Sequence, residues 1–210
     1  MPTSLKTVAP IVGLGGVGTA GGYYLLSDSS TIRDHLKTEL KGLPRKILSS
    51  ESSAEWSEWK KVYESKSSNQ KIAGVSDASD LPKWCADTLN QKFDKSKYDV
   101  VKSWCVVNTS TLKGELASSG VTLISSDGSD VETKFKNAWK KVKAQKSTAG
   151  DLAINDTTVI SDSSSDETAG GTALKTWCTT RYSWAMYKLD AINDLEKVKK
   201  WCHEDAGKDS

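Results

Sequence analysis

The chain has 210 residues, 37% of them hydrophobic and 27% charged, which is material for one compact domain of ordinary size plus appendages. Its 29 basic residues stand against 27 acidic ones, and the resulting net charge of +2 weighs against a protein built around nucleic-acid binding. Two histidines, His35 and His203, leave little material for a histidine-based metal centre.

Thr7 to Leu26 is a charge-free run of 20 residues, about the length that crosses a ~30 Å hydrocarbon core as a helix. Tyr23 and Tyr24 stand at its far end, where amphipathic rings suit the lipid–water interface. Lys6 lies on the near side, so the amino terminus is expected inside and the body outside. Gly18 and Gly22 form a G-x-x-x-G pair, which lets membrane helices approach closely. Residues 1–26 are therefore read as a transmembrane anchor or signal segment. Gly18 and Ala20 also fit a signal-peptide cleavage before Gly21, which would release a secreted body. A competing reading takes Gly13, Gly15 and Gly18 as the G-x-G-x-x-G of a cytosolic dinucleotide-binding enzyme. Pro10 interrupts the strand that motif requires, and no βαβ alternation follows.

Residues 27–53 read as a juxtamembrane linker with a short helix at 31–41. Beyond it the chain repeats itself. All four cysteines directly follow tryptophan, at Cys85, Cys105, Cys178 and Cys202. Trp59-Lys60-Lys61-Val62 is matched by Trp139-Lys140-Lys141-Val142, and Val101-Lys102-Ser103-Trp104-Cys105 by Val198-Lys199-Lys200-Trp201-Cys202. The spacing predicts an internal duplication over residues 54–108 and 135–205. The first repeat with its connector is assigned to 54–130. The second repeat, with a Ser/Asp-rich loop and a polar tail, is assigned to 131–210.

Steps of three and four between apolar residues predict helices. Trp56, Trp59 and Tyr63 show them, as do Phe135, Ala138, Trp139 and Val142. Tyr98, Val101 and Cys105 do so in the first repeat, and Leu195, Val198 and Cys202 in the second. From Cys178 to Ile192 one stripe runs through Tyr182, Ala185 and Leu189. The polar, glycine-containing stretch 161–171 reads as a mobile loop. The β-branched runs at 121–125 and 157–161 are candidates to pair as a small sheet. The fold class is mainly α: an N-terminal helix, then a helical domain of two related helix-hairpin repeats, with a possible small β element.

An even number of cysteines behind an export-like segment favours disulfides. The repeat suggests one bridge per half, Cys85–Cys105 and Cys178–Cys202, although four cysteines allow three pairings. No catalytic motif, metal-ligand spacing or phosphate loop occurs, so no catalytic residue, cofactor or metal is assigned.

The glycine-rich amino terminus ending GTAGGYYLLS, the stretch Ser30-Thr31-Ile32-Arg33-Asp34 and the repeated Trp-Cys helices together resemble uncharacterised paralogous proteins of haemotropic mycoplasmas. The excess of lysine over arginine, 26 to 3, suits an AT-rich genome of that kind. The resemblance implies a place at the surface of a wall-less blood parasite, with antigenic variation, and carries no catalytic residues. The expected protein is membrane-anchored, externally exposed and non-enzymatic, with membrane lipid as one partner. A host-cell surface or envelope proteins are the candidate further partners, for host interaction, antigenic display or scaffolding. No nucleic-acid partner is expected.

Overall fold

The structure, a computed structural model, describes residues 29–160 and 165–209. It is mainly helical with one two-stranded sheet. The chain divides into two compact units, the first ending at Thr109 and the second beginning at Ser110.

The first unit opens with helix α1 (Ile32–Glu39). Thr31 caps it: its hydroxyl accepts the Asp34 N–H, while the Asp34 carboxylate takes the Thr31 N–H, a reciprocal cap that satisfies otherwise orphaned donors. Strand β1 (Arg45–Ile47) follows, then α2 (Trp56–Glu64), α3 (Leu81–Leu89), α4 (Lys95–Trp104) and strand β2 (Val106–Asn108). β1 pairs antiparallel with β2, Arg45 opposite Asn108 and Ile47 opposite Val106. Pro82 sits in the first turn of α3, where its missing N–H costs nothing. α1 packs on α3 and α4, and its Ile32 and Leu36 are fully buried.

The second unit contains α5 (Leu112–Ser118), α6 (Val131–Ala144), α7 (Glu167–Tyr182) and α8 (Leu189–Trp201). Thr111 caps α5 as Thr31 caps α1, its hydroxyl accepting the Gly114 N–H at 3.1 Å. α6 and α7 pack along each other over a common apolar seam. Phe135, Ala138, Trp139 and Val142 of α6 meet Leu174, Trp177 and Cys178 of α7 in one core.

The helical stripes of the sequence are present at α2, α4, α6 and α8, but four boundaries differ. Residues 31–53 are not a linker: Ile32, Leu36 and Leu48 belong to the first core. The units separate at Thr109–Ser110 and not at 130–131, because α5 packs on α7 and α8. The apolar stripe from Cys178 to Ile192 is broken between α7 and α8. There Met186 donates its N–H to the Ser110 carbonyl at 2.9 Å, so this segment holds the start of α5 in place of continuing a helix. Residues 167–171, assigned to a mobile loop, form the first turn of α7, with Gly170 and Gly171 buried.

The small sheet also uses other residues than 121–125 and 157–161. Leu123 forms an isolated bridge with His203, while Val159 and Ile160 turn their side chains into the core. The strands that do pair also carry β-branched residues, Ile47 opposite Val106 and Lys46 opposite Val107.

Candidate functional site

The chemistry on which the sequence reading rests is the cysteines. Cys85 is bonded to Cys105 and Cys178 to Cys202, with Cα separations of 5.5 and 5.9 Å, inside the span a disulfide needs. All four are fully buried. Cys105 and Cys202 are the residues that end α4 and α8. Cys85 lies in the middle of α3 and Cys178 in the second half of α7, so each bridge joins a helix end to a helix interior.

Tryptophan builds the walls around these bridges. The Trp104 ring meets Tyr63 edge-on with centroids 4.7 Å apart, and the Trp59 indole N–H donates to the Trp104 carbonyl at 2.8 Å. In the second unit the Trp139 N–H donates to Val159 O and the Trp201 N–H to Leu152 O. An indole supplies large apolar area but carries one donor that needs a partner when buried. The carbonyl at the end of α4 supplies the partner for Trp59, and carbonyls of the 145–166 connection supply those for Trp139 and Trp201, so these two also fix that connection. In the first unit Tyr63 also bonds to the main chain, donating to Val75 O at 2.6 Å and accepting the Ile72 N–H at 3.0 Å. Burial pushes its phenol pKa up, and that of Tyr182 further up, so both stay protonated donors.

Two polar constellations are bonded internally, around Arg181 and around His35, whereas the buried Arg33 Nε has no hydrogen-bond partner. Arg181 lies over the Trp177 ring at 3.9 Å and the Trp184 ring at 4.7 Å, and its Nε donates to Asp194 at 2.7 Å. Trp184 lies two residues beyond the end of α7 and packs on the guanidinium and against the second core. The spacing Trp177-x-x-x-Arg181 places those two side chains on one helix face.

His35 shares a 2.9 Å hydrogen bond between its Nε2 and Ser30 Oγ and stacks on Phe93 at 3.8 Å. A serine hydrogen-bonded to a histidine has both members of a nucleophile–base pair, which needs a third group to orient the base. The adjacent Asp34 carboxylate is taken by Thr31, so it does not orient the imidazole. The pair therefore closes the amino-terminal turn of α1. His203 contacts Asp205 in the carboxyl-terminal tail. Among the described residues no cluster of three or more histidine, cysteine or acidic side chains is placed to hold a metal.

Glu39 accepts hydrogen bonds from Tyr98 and Lys102. Burial by itself would raise its carboxyl pKa, but the bonds from Lys102 and Tyr98 outweigh it and hold the group below the usual carboxylate range. A group depressed in the folded state adds stability above its unfolded value of about 4.3, and that stability is lost as pH falls through the lower folded value. The melting temperature is thus expected to drop as pH falls from above the unfolded value through the lower folded one, and Glu39→Gln should flatten that part of the profile. Thermal scans at a pH series check this, and superimposable profiles would refute it.

Gly18, Gly22, the Gly13–Gly18 motif and the rest of the anchor segment lie outside the described residues. Among the described residues no helix is long and apolar enough to cross a membrane. No family model, curated protein or solved structure matches the chain.

Proposed function

We propose that this is a membrane-tethered, externally exposed, non-enzymatic protein whose body consists of two disulfide-tied helical repeats and serves host interaction or antigenic display. The observation that carries the reading is one fully buried disulfide in each unit, with no free cysteine among the described residues. Such bridges persist in oxidising compartments and are rare where thiols are kept reduced. The charge-free run 7–26 supplies the tether, with Lys6 on the inner side. The closely packed cores, each tied by its own disulfide, favour presentation of a stable surface.

Protease treatment of intact cells, followed by thiol labelling of the recovered body, tests the reading. The expected result is cleavage from outside and no labelling of Cys85, Cys105, Cys178 or Cys202 until a reductant is added. Full-length protein protected from protease, with four free thiols, would overturn both the location and the chemistry behind it. A body released into the medium with its amino terminus near Gly21 would replace the anchor with a signal peptide.

A further inference from the structure

The two units use the same main-chain contacts at the same places in their sequences. Each opens with Ser-Thr followed by an aliphatic residue, Ser30-Thr31-Ile32 and Ser110-Thr111-Leu112. The N–H of Ile32 donates to Gln91 O, and that of Leu112 to Trp184 O; both acceptors stand six residues after the first cysteine of their unit. The N–H of Phe93 donates to Ser30 O, and that of Met186 to Ser110 O; both donors stand eight residues after that cysteine. Leu48 donates to Cys105 O, and Ile124 to Cys202 O, each at 2.8 Å and each from the residue before a Ser-Ser pair. Two helices joined by a disulfide do not by themselves require a β-type contact beyond the first cysteine, nor a second one at the other cysteine's carbonyl.

We infer that the chain is a tandem duplication of one scaffold, with copies opening at Ser30 and Ser110, and that the copies present different outer faces. This goes beyond the display reading and stands without it. The buried partners have stayed apolar: Leu36 corresponds to Leu116, Leu48 to Ile124 and Val101 to Val198, all 3% exposed or less. The outer positions have diverged. Trp84 and Trp177 both precede the first cysteine, yet exposed Gln91 and Lys97 stand where the second unit has Trp184 and Asp194, and the buried Thr88 stands where it has Arg181. The guanidinium stack with its carboxylate clasp is thus a feature of one copy alone. A partner that recognises that face has no equivalent to bind on the other copy.

In the full chain with both disulfides, residues 30–36 and 110–116 can be exchanged in register. A control exchange shifted by two residues places Gly114 and Asp34 where Ile32 and Leu112 stood. The in-register chain should keep both bridges and melt within about 5 °C of the parent, and the shifted one should lose about 10 °C or more. Equal damage from the two exchanges, or loss of a bridge in the in-register chain, overturns the duplication. For the faces, binders raised against the whole chain and lost on Trp184→Ala should be unaffected by the corresponding Gln91→Ala. Binders lost on both replacements would overturn the divergence.

Discussion

Removing the Cys178–Cys202 bridge by Cys178→Ala with Cys202→Ala should destabilise the second unit by about 3 kcal/mol. The sequence separation across the bridge is 24 residues, so the reduced, unfolded chain regains the freedom of a loop of that length. The corresponding double replacement of Cys85 and Cys105, 20 residues apart, should cost the first unit nearly the same. Alanine is the right replacement because both sulfurs are fully buried. Serine would add a hydroxyl with no hydrogen-bond partner and should cost about 1–3 kcal/mol more per site. The secondary consequence is local. Cys202 O accepts the Ile124 N–H, and the Tyr182 hydroxyl donates to Ile124 O, so the end of α8, the 121–125 segment and the end of α7 are held together at this corner. Denaturant unfolding monitored by tryptophan fluorescence measures the loss. A change below about 1 kcal/mol for either double variant would mean that the helices hold the cysteines in place without the bond.

The sequence shows some of this architecture well and some poorly, for physical reasons that differ by element. α2, α4, α6 and α8 are amphipathic helices lying on their own cores, and their three- and four-residue steps report burial directly. The pairing present is the one bridge per half that the repeat suggests, although equal Trp-Cys contexts by themselves leave three pairings open. The extent of each unit is less visible. α1 and α5 are short, and what ties them down is main-chain bonding from Ile32 to Gln91 and from Leu112 to Trp184, which leaves no mark in side-chain periodicity. The strands β1 and β2 are three residues each, too short for an alternating pattern to rise above chance. The break between α7 and α8 is hidden by apolar burial that continues through it, since Tyr182 and Ala191 are buried on either side of the turn and Met186 within it. The candidate site shares this asymmetry: the cysteines stand out by their context, whereas the Arg181 stack depends on Asp194 from the next helix.

The glycine pair at 170–171 is where composition misleads most, and it carries the other large expected effect. In an exposed helix, Gly→Ala stabilises by about 1 kcal/mol through propensity. At Gly170 the sign should reverse. A Cβ there would lie 2.1 Å from Cε2 and 2.4 Å from Cδ2 of Trp139. The indole has no room to yield: it is 2% exposed, its N–H is bonded to Val159 O at 2.8 Å, and the Lys143 ammonium lies 5.2 Å from the ring centre. At Gly171 a Cβ would stand 3.0 Å from the Lys136 main-chain nitrogen, so α7 cannot shift along α6 to make space. Gly170→Ala should therefore force the two helices apart and cost about 3 kcal/mol, at the upper end of overpacking penalties. Thr172→Ala, exposed on the same helix, should change stability by less than about 0.5 kcal/mol. Trp139→Leu alone should also be destabilising, by about 3 kcal/mol for the lost burial and the cavity left behind. Combined with Gly170→Ala it should cost clearly less than the two together, because the new methyl occupies space the indole vacates. Urea unfolding of the two single variants and the double variant closes the cycle. A neutral or stabilising Gly170→Ala, or strict additivity with Trp139→Leu, would show that Trp139 does not rest on Gly170 and would return residues 167–171 to the loop that composition suggests.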